Sequence, residues 1–364
     1  MAGAVELRQA TEGRRRNAGG GRQEADGWPI YWNHGMMQQR HKQMTRQKLA
    51  FALVAVSFVR PAAAQSHVSA AGPRSNFEGI WNSATATPLE RPAQLKDKEF
   101  FTPEEAVNWE RRAATRLQDP KPEAATKTFA SYNAVFYETG TKLLKSLRTS
   151  IITDPPDGKI PALLPAAAAE KSRRLALLGH PRSATDLGLQ DQCIVFPTAV
   201  APMIPYIYNS NYQIIQTGRE VMMNIEMVDD TRIIRLDRQS HLSPGVRLWL
   251  GDSVGHWEGD TLVVDTTNFN DGGGFFGDAG GMFGSDRNLH IVERFSLLDA
   301  NTIQYRFEVD DATAFTRPWK GELTWTRSAG RIFEYACHEG NYALPDLLNG
   351  ARSLEHAEPS PKKQ

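Results

Sequence analysis

Cysteine is nearly absent from this chain: Cys193 and Cys337 are the only two in 364 residues. That scarcity excludes a disulfide-dense scaffold and every paired Cys-x-x-Cys metal or redox motif. His-x-His and His-Glu-x-x-His are also missing, so a metal site would have to be assembled from distant residues, and no cofactor is called for. No Gly-x-Ser-x-Gly elbow occurs, which removes the commonest serine-hydrolase signal. The Gly-rich run 272–284 lacks a phosphate-cradling spacing and reads as a mobile loop or lid. Charge of one sign is lacking too, with 42 Lys/Arg balanced by 42 Asp/Glu.

One short hydrophobic run is present. In MTRQKLAFALVAVSFVRPAAA (residues 44–64), Arg46 and Lys48 precede an apolar stretch from Leu49 to Val59, and Ala62-Ala63-Ala64 supplies a small-residue cleavage site. Eleven residues are too few for a bilayer core, which needs roughly 20. The segment therefore reads as an export signal, with residues 1–43 a non-native or disordered extension and 65–75 a flexible lead-in. Removing residues 1–64, with their 10 basic and 4 acidic side chains, leaves 32 basic against 38 acidic, a net charge of −6. That balance speaks against nucleic-acid or anionic-membrane partners. A periplasmic or secreted protein acting on a small molecule is the expectation. In an oxidising compartment two lone cysteines pair, and the alternative is a reactive Cys337 beside His338 and Glu339. Adjacent strand residues face opposite sides, which weakens that alternative.

Thr102-Pro103-Glu104-Glu105 starts a helix by its capping box and by Pro at the first helical position, running to about Leu117. Residues 118–127 read as a surface loop. Ala166–Leu178 gives a second helix, mostly exposed, and 345–351 a third. Between them, RTSIIT (148–153) reads as a strand that ends at the turn Asp154-Pro155-Pro156-Asp157-Gly158. From residue 192 onward the pattern is strand and turn: YQIIQT, EVMMNIEM, TRIIRL, GDTLVVDTTNF, HIVERFSLL, NTIQYRFEVD, GELTWTRS and RIFEYACH. In NTIQYRFEVD, Ile303, Tyr305, Phe307 and Val309 share one face, the period of a half-buried antiparallel strand. Glu258-Gly259-Asp260, Asp299-Ala300-Asn301 and Ser328-Ala329-Gly330 are of hairpin length. Gly79-Ile80-Trp81 resembles the Gly-x-Trp that opens lipocalin-like barrels. The predicted fold is mainly β, an antiparallel barrel or else a sandwich with peripheral helices, over one domain from 76 to 352 with a polar tail at 353–364.

Polar and aromatic residues concentrate in SHLSPGVRLWLGDSVGHWEGDTLVVDTTNF (240–269) and in YACHEGNY (335–342). The candidate proton carriers are His241 and His338, oriented by Asp252 and Glu339, with Arg247 as an anion anchor. Trp249, Trp257, Asn268 and Tyr342 are candidate substrate contacts, although both tryptophans also fit core or rim packing. His290 is a third imidazole of interest, and Asp265 reads as a solvated strand residue. The leading expectation is acid–base chemistry of the lyase, isomerase or hydrolase type on a sugar-like or aromatic compound. The alternative is a non-catalytic periplasmic ligand-binding or envelope protein in which these groups tie loops together.

Three blocks carry a resemblance: Asp154-Pro155-Pro156-Asp157-Gly158, then Trp249-Leu250-Gly251-Asp252-Ser253 through Trp257-Glu258-Gly259-Asp260-Thr261-Leu262-Val263-Val264, and Cys337-His338-Glu339-Gly340-Asn341-Tyr342. From Asn76 to Arg352 the chain resembles a family of exported bacterial proteins without an established activity. The resemblance implies export and a single shared domain. It implies no catalytic residue.

Overall fold

In a computed structural model, the residues described are 74–116, 138–238, 240–270, 272 and 287–357. All lie within one compact unit, Ser66–Gln364. The expected signal, the N-terminal extension, the 118–127 loop, the 353–364 tail beyond residue 357 and nearly all of the Gly-rich run fall outside the described residues.

Strand β1 (Gly79–Asn82) precedes helix α1 (Pro103–Arg116), β2 (Ile152–Asp154) and α2 (Pro165–Gly179). A β-rich run follows, with β3 (Asn211–Gln216), β4 (Glu220–Ile225), β5 (Thr231–Arg235), β6 (Asp252–Glu258) and β7 (Thr261–Thr267). It continues with β8 (His290–Asp299), β9 (Thr302–Asp310) and β10 (Trp319–Arg327), and α3 (Ala343–Ala357) ends the described chain. The capping box forms as written in the sequence: Glu105 N donates to Thr102 Oγ1 (3.3 Å) and Thr102 N to Glu105 Oε2 (2.8 Å). The 258–261 hairpin turns through Gly259 at φ 62°, which a residue without Cβ adopts freely.

Sequential pairing from β3 to β10, closed by β1 lying between β10 and β3, makes a nine-stranded barrel. The free part of the same β10 edge takes β2. An all-antiparallel ring must have an even number of strands, because direction flips at every pairing. Nine strands therefore require a parallel pair, and it falls at β5–β6 (Ile234 opposite Ser253). A parallel pair needs a long return connection. Residues 236–251 provide it, and they carry His241, Arg247 and Trp249.

Alternation decides what fills the barrel. On β9, Ile303, Tyr305, Phe307 and Val309 are all buried, as the period of two requires. Aromatic rings meet across the interior, with Tyr212 stacked on Trp325 at 4.3 Å and Phe295 on Tyr305 at 4.8 Å. The segment before β3 reaches the same core, where Met203 N donates to the Tyr305 hydroxyl (3.1 Å). In this core Arg232 pairs with Glu293 through both carboxylate oxygens, the two side chains being 1% and 0% exposed. Arg232 Nε also donates to Ser253 (3.1 Å) and Nη2 to Thr266 (2.8 Å), while Tyr305 donates to Glu293 (2.8 Å). Burial alone would lower the Arg232 guanidinium, yet the adjacent Glu293 carboxylate holds it above its ordinary value. Among the described residues, these interior side chains pack against one another across the barrel.

Two strand expectations are corrected. RIFEYACH forms no strand, because β10 already spends one edge on β9 and the other on β2 and β1, so Ser328-Ala329-Gly330 leads into no hairpin. Its backbone is held instead by carboxylates, Phe333 N donating to Glu226 (3.1 Å) and Tyr335 N to Asp229 (3.0 Å). The strand expected at 148–153 narrows to β2, since Arg148 bridges Phe100 outside the barrel.

Candidate functional site

The proposed polar residues separate into two places. The first is where the β5–β6 crossover returns to the barrel. Gly251 enters β6 at φ 71°, in a space where an added Cβ would lie 2.8 Å from Phe269 and Thr266. It delivers Asp252, 4% exposed, to the foot of the crossover. The Asp252 carboxylate accepts from Arg235 Nη2 (2.6 and 2.8 Å), Leu242 N (2.9 Å) and His241 Nδ1 (3.0 Å). His241 Nε2 meets Asp265 Oδ1 on β7 at 2.9 Å. Each ring nitrogen of His241 therefore faces a carboxylate, and none is left open to a substrate.

Asp265 continues the chain: its other oxygen lies 3.0 Å from His290 Nε2 on β8. Asp265 pairs with Val292 across the β7–β8 ladder, so His290 is its diagonal neighbour on the same face. Burial would raise the Asp265 carboxyl, but hydrogen bonds from His290 and His241 outweigh it and hold it low. The bond to Asp265 raises His290 above its ordinary value against the opposing effect of burial. Among the described residues, Nδ1 of His290 has no hydrogen bond.

The remaining crossover candidates act as ties. Asn268 Nδ2 donates to Leu242 O (3.1 Å) and Ser243 O (3.3 Å), and its backbone oxygen accepts from Leu248 N (3.0 Å). Arg247 donates to the carbonyls of Arg287 (2.7 Å) and Phe269 (3.3 Å). Trp257 stacks on Phe77 (5.8 Å, 7° between planes) beneath the Arg74 guanidinium. Trp249 stays 40% exposed.

The second place holds the disulfide. Cys193 and Cys337, 144 residues apart, are bonded with their Cα atoms 5.8 Å apart, which assigns the chain to an oxidising compartment and leaves no reactive thiol. Beside the bond lies a pocket of about 760 Å³, formed by the segments 187–208 and 334–347 with Leu178 of α2; none of its lining residues belongs to a strand. Glu339 lines this pocket; His338 and Tyr342 do not, and Tyr342 is 74% exposed. Asn341 fixes the pocket floor, Nδ2 donating to Asp191 O and lying 3.3 Å from Cys193 Sγ.

His241 and His338, expected to share a site, have different partners and surroundings. No hydrogen bond, ion pair or pocket lining joins the two groups among the described residues, and neither the His338 nor the Glu339 side chain makes a hydrogen bond. The crossover gathers His241 and Asp252 around the barrel wall, whereas the disulfide holds His338 and Glu339 with the non-strand segments.

Of the four rings of the pocket, sequence reasoning marked only Tyr335, within the 335–342 cluster, and missed Phe196, Tyr206 and Tyr208. Phe196 meets Tyr206 (6.1 Å, 76°), Tyr206 meets Tyr208 (5.7 Å, 73°), Tyr208 stacks on Tyr335 (6.5 Å, 10°), and Tyr335 returns to Phe196 (6.1 Å, 65°). The signal was there. Phe196 stands three residues after Cys193, Tyr335 two before Cys337, and the disulfide makes neighbours of what flanks each cysteine. Among the described residues, no group of three or more His, Cys, Asp or Glu side chains is placed to hold a metal ion, and no helix is long and apolar enough to cross a membrane.

No family model and no curated protein sequence matches this chain. Among solved structures, a secretary abundant heat soluble (SAHS) protein from Ramazzottius varieornatus is similar over 32% of this chain and 70% of its own, at 10% identity and a TM-score of 0.21. A likeness this slight supports no statement about the present fold or function.

Proposed function

We propose that this is an exported, periplasmic or secreted β-barrel protein that binds a small organic molecule in the pocket beside the Cys193–Cys337 bond. The observation that carries this reading is the ring of four aromatic side chains lining a pocket of about 760 Å³. Pockets of roughly 300–1,000 Å³ with apolar walls and a few polar groups are the usual form of small-molecule sites. The reading of 44–64 as a signal and the disulfide both agree with export. A melting-temperature screen of the mature protein against aromatic and sugar-like compounds tests it. A compound that raises the wild-type melting temperature and leaves that of Phe196→Leu unmoved supports the reading. Equal shifts in both proteins count against it.

A second reading keeps acid–base catalysis, moved from His241 to His290. What favours it is the geometry of His290, whose Nε2 meets Asp265 while Nδ1 has no hydrogen bond among the described residues, as a positioned proton carrier requires. Turnover of any compound lost in His290→Gln, with melting unchanged, would support this reading. Turnover that persists in the variant would exclude it.

A further inference from the structure

Charge distribution around the aromatic pocket goes one step further, resting on the reading of that pocket as a ligand site. Three carboxylates line it, from Asp191, Glu334 and Glu339, and no Lys, Arg or His is among the lining residues described. Gln190 adds an acceptor, its Oε1 buried without a hydrogen-bond partner. The Gln190 and Asp191 side-chain oxygens converge near Gly188, 2.9 and 3.0 Å from where its Cβ would stand. The charged groups facing this space are thus all negative; the Tyr206, Tyr208 and Tyr335 hydroxyls and the Gln190 amide can donate or accept, and the Asn341 amide is already spent on Asp191 O and Cys193.

The rings repeat the preference. Aromatic faces carry negative potential, and a cation within about 6 Å of a ring centroid is attracted to it. Phe196, Tyr206, Tyr208 and Tyr335 form a closed cycle of contacts with centroids 5.7 to 6.5 Å apart, three of the contacts edge-to-face and the Tyr208–Tyr335 contact stacked. A charged group among them comes within reach of several centroids at once. Burial also pushes the Asp191 carboxyl up, against the hydrogen bond from Gly188 N, so this group gains from a positive neighbour.

We propose that the pocket's occupant is an organic cation, an amine or quaternary ammonium with an apolar body, held by the four-ring box and the carboxylates of Asp191, Glu334 and Glu339. An anionic or neutral ligand of the same shape leaves these carboxylates unpaired or repels them.

Isothermal titration calorimetry of the mature, disulfide-bonded chain tests this with three probes: benzyltrimethylammonium, its neutral isostere neopentylbenzene, and the anion phenylacetate. The ammonium is expected to bind, with the other two at least about tenfold weaker. Removing one ring in Tyr335→Leu is expected to weaken the ammonium about 5- to 30-fold, while Tyr335→Phe, which keeps the ring, retains affinity. Asp191→Asn is expected to weaken the ammonium and leave neopentylbenzene unchanged. Failure of the ammonium to bind overturns the proposal. Preferential binding of phenylacetate or neopentylbenzene removes the cation and leaves a ligand pocket standing.

Discussion

Arg232 on β5 grips both carboxylate oxygens of Glu293 on β8, inside the barrel and shut away from water. Breaking such a pair strands one charge in a low-dielectric core and costs about 3–5 kcal/mol, whereas removing both partners costs far less. Arg232→Met and Glu293→Gln should each lower unfolding stability by about that amount. Arg232→Met combined with Glu293→Leu should recover part of the loss. Urea denaturation of the three variants checks this, and single variants as stable as wild type would contradict it.

The Asp265–His290 pair makes a pH-dependent contribution whose sign is fixed by the two shifts. His290 lies above the ordinary histidine value of 6.5, so its contribution is complete below that value and is lost as pH rises through its folded value. Asp265 lies below the ordinary 3.8, so its contribution holds above that value and is lost only in stronger acid. The melting temperature of wild type should therefore exceed that of His290→Gln by more at about pH 5.5 than at about pH 9. Solvent screens both half-exposed groups, so the difference is small. A gap that widens toward alkaline pH would refute the assignment.

Asn268 stands at φ 58°, a conformation costly for most side chains, and it ties two carbonyls of the crossover. Asn268→Gly keeps the backbone free and loses the ties, while Asn268→Ala loses both. The alanine variant should be less stable than the glycine variant by about 1 kcal/mol. Thermal or urea melts decide the order, and the reverse order would show the backbone is not strained there.

Replacing both Cys193 and Cys337 by Ala releases a loop closed over 144 residues. The chain-entropy model puts the loss at up to about 4–5 kcal/mol. Because each cysteine anchors a segment bearing pocket rings, ligand affinity should fall together with stability. A stable double variant that binds as tightly as wild type would show that the bond does not shape the pocket.

Local signals in this sequence translated directly into structure. The Thr102–Glu105 capping box and the alternation from Ile303 to Val309 are each satisfied within a few residues. The Cys193–Cys337 pairing followed from count and compartment alone. The alternating strands also pointed to the barrel, but the order in which its edges meet was not legible, because it depends on long-range pairing. The same alternation in Arg331–His338 makes no strand once β10 has no free edge, and the parallel β5–β6 junction is a consequence of nine strands closing. For the site, Asp252 was visible as a partner of His241, but Asp265 and His290 become neighbours only through the β7–β8 register. Phe196, Tyr206 and Tyr208 look like ordinary core aromatics until the disulfide brings the Tyr335 segment against them.

Backbone amide chemical-shift mapping of the mature chain during titration with an aromatic fragment library is the most direct test of where this protein binds. Perturbations clustered in residues 187–208 and 334–347, with His290 and Asp265 unmoved, are the outcome expected of a ligand pocket beside the disulfide. Shifts centred on His241, Asp265 and His290, or no shifts at all, would contradict it.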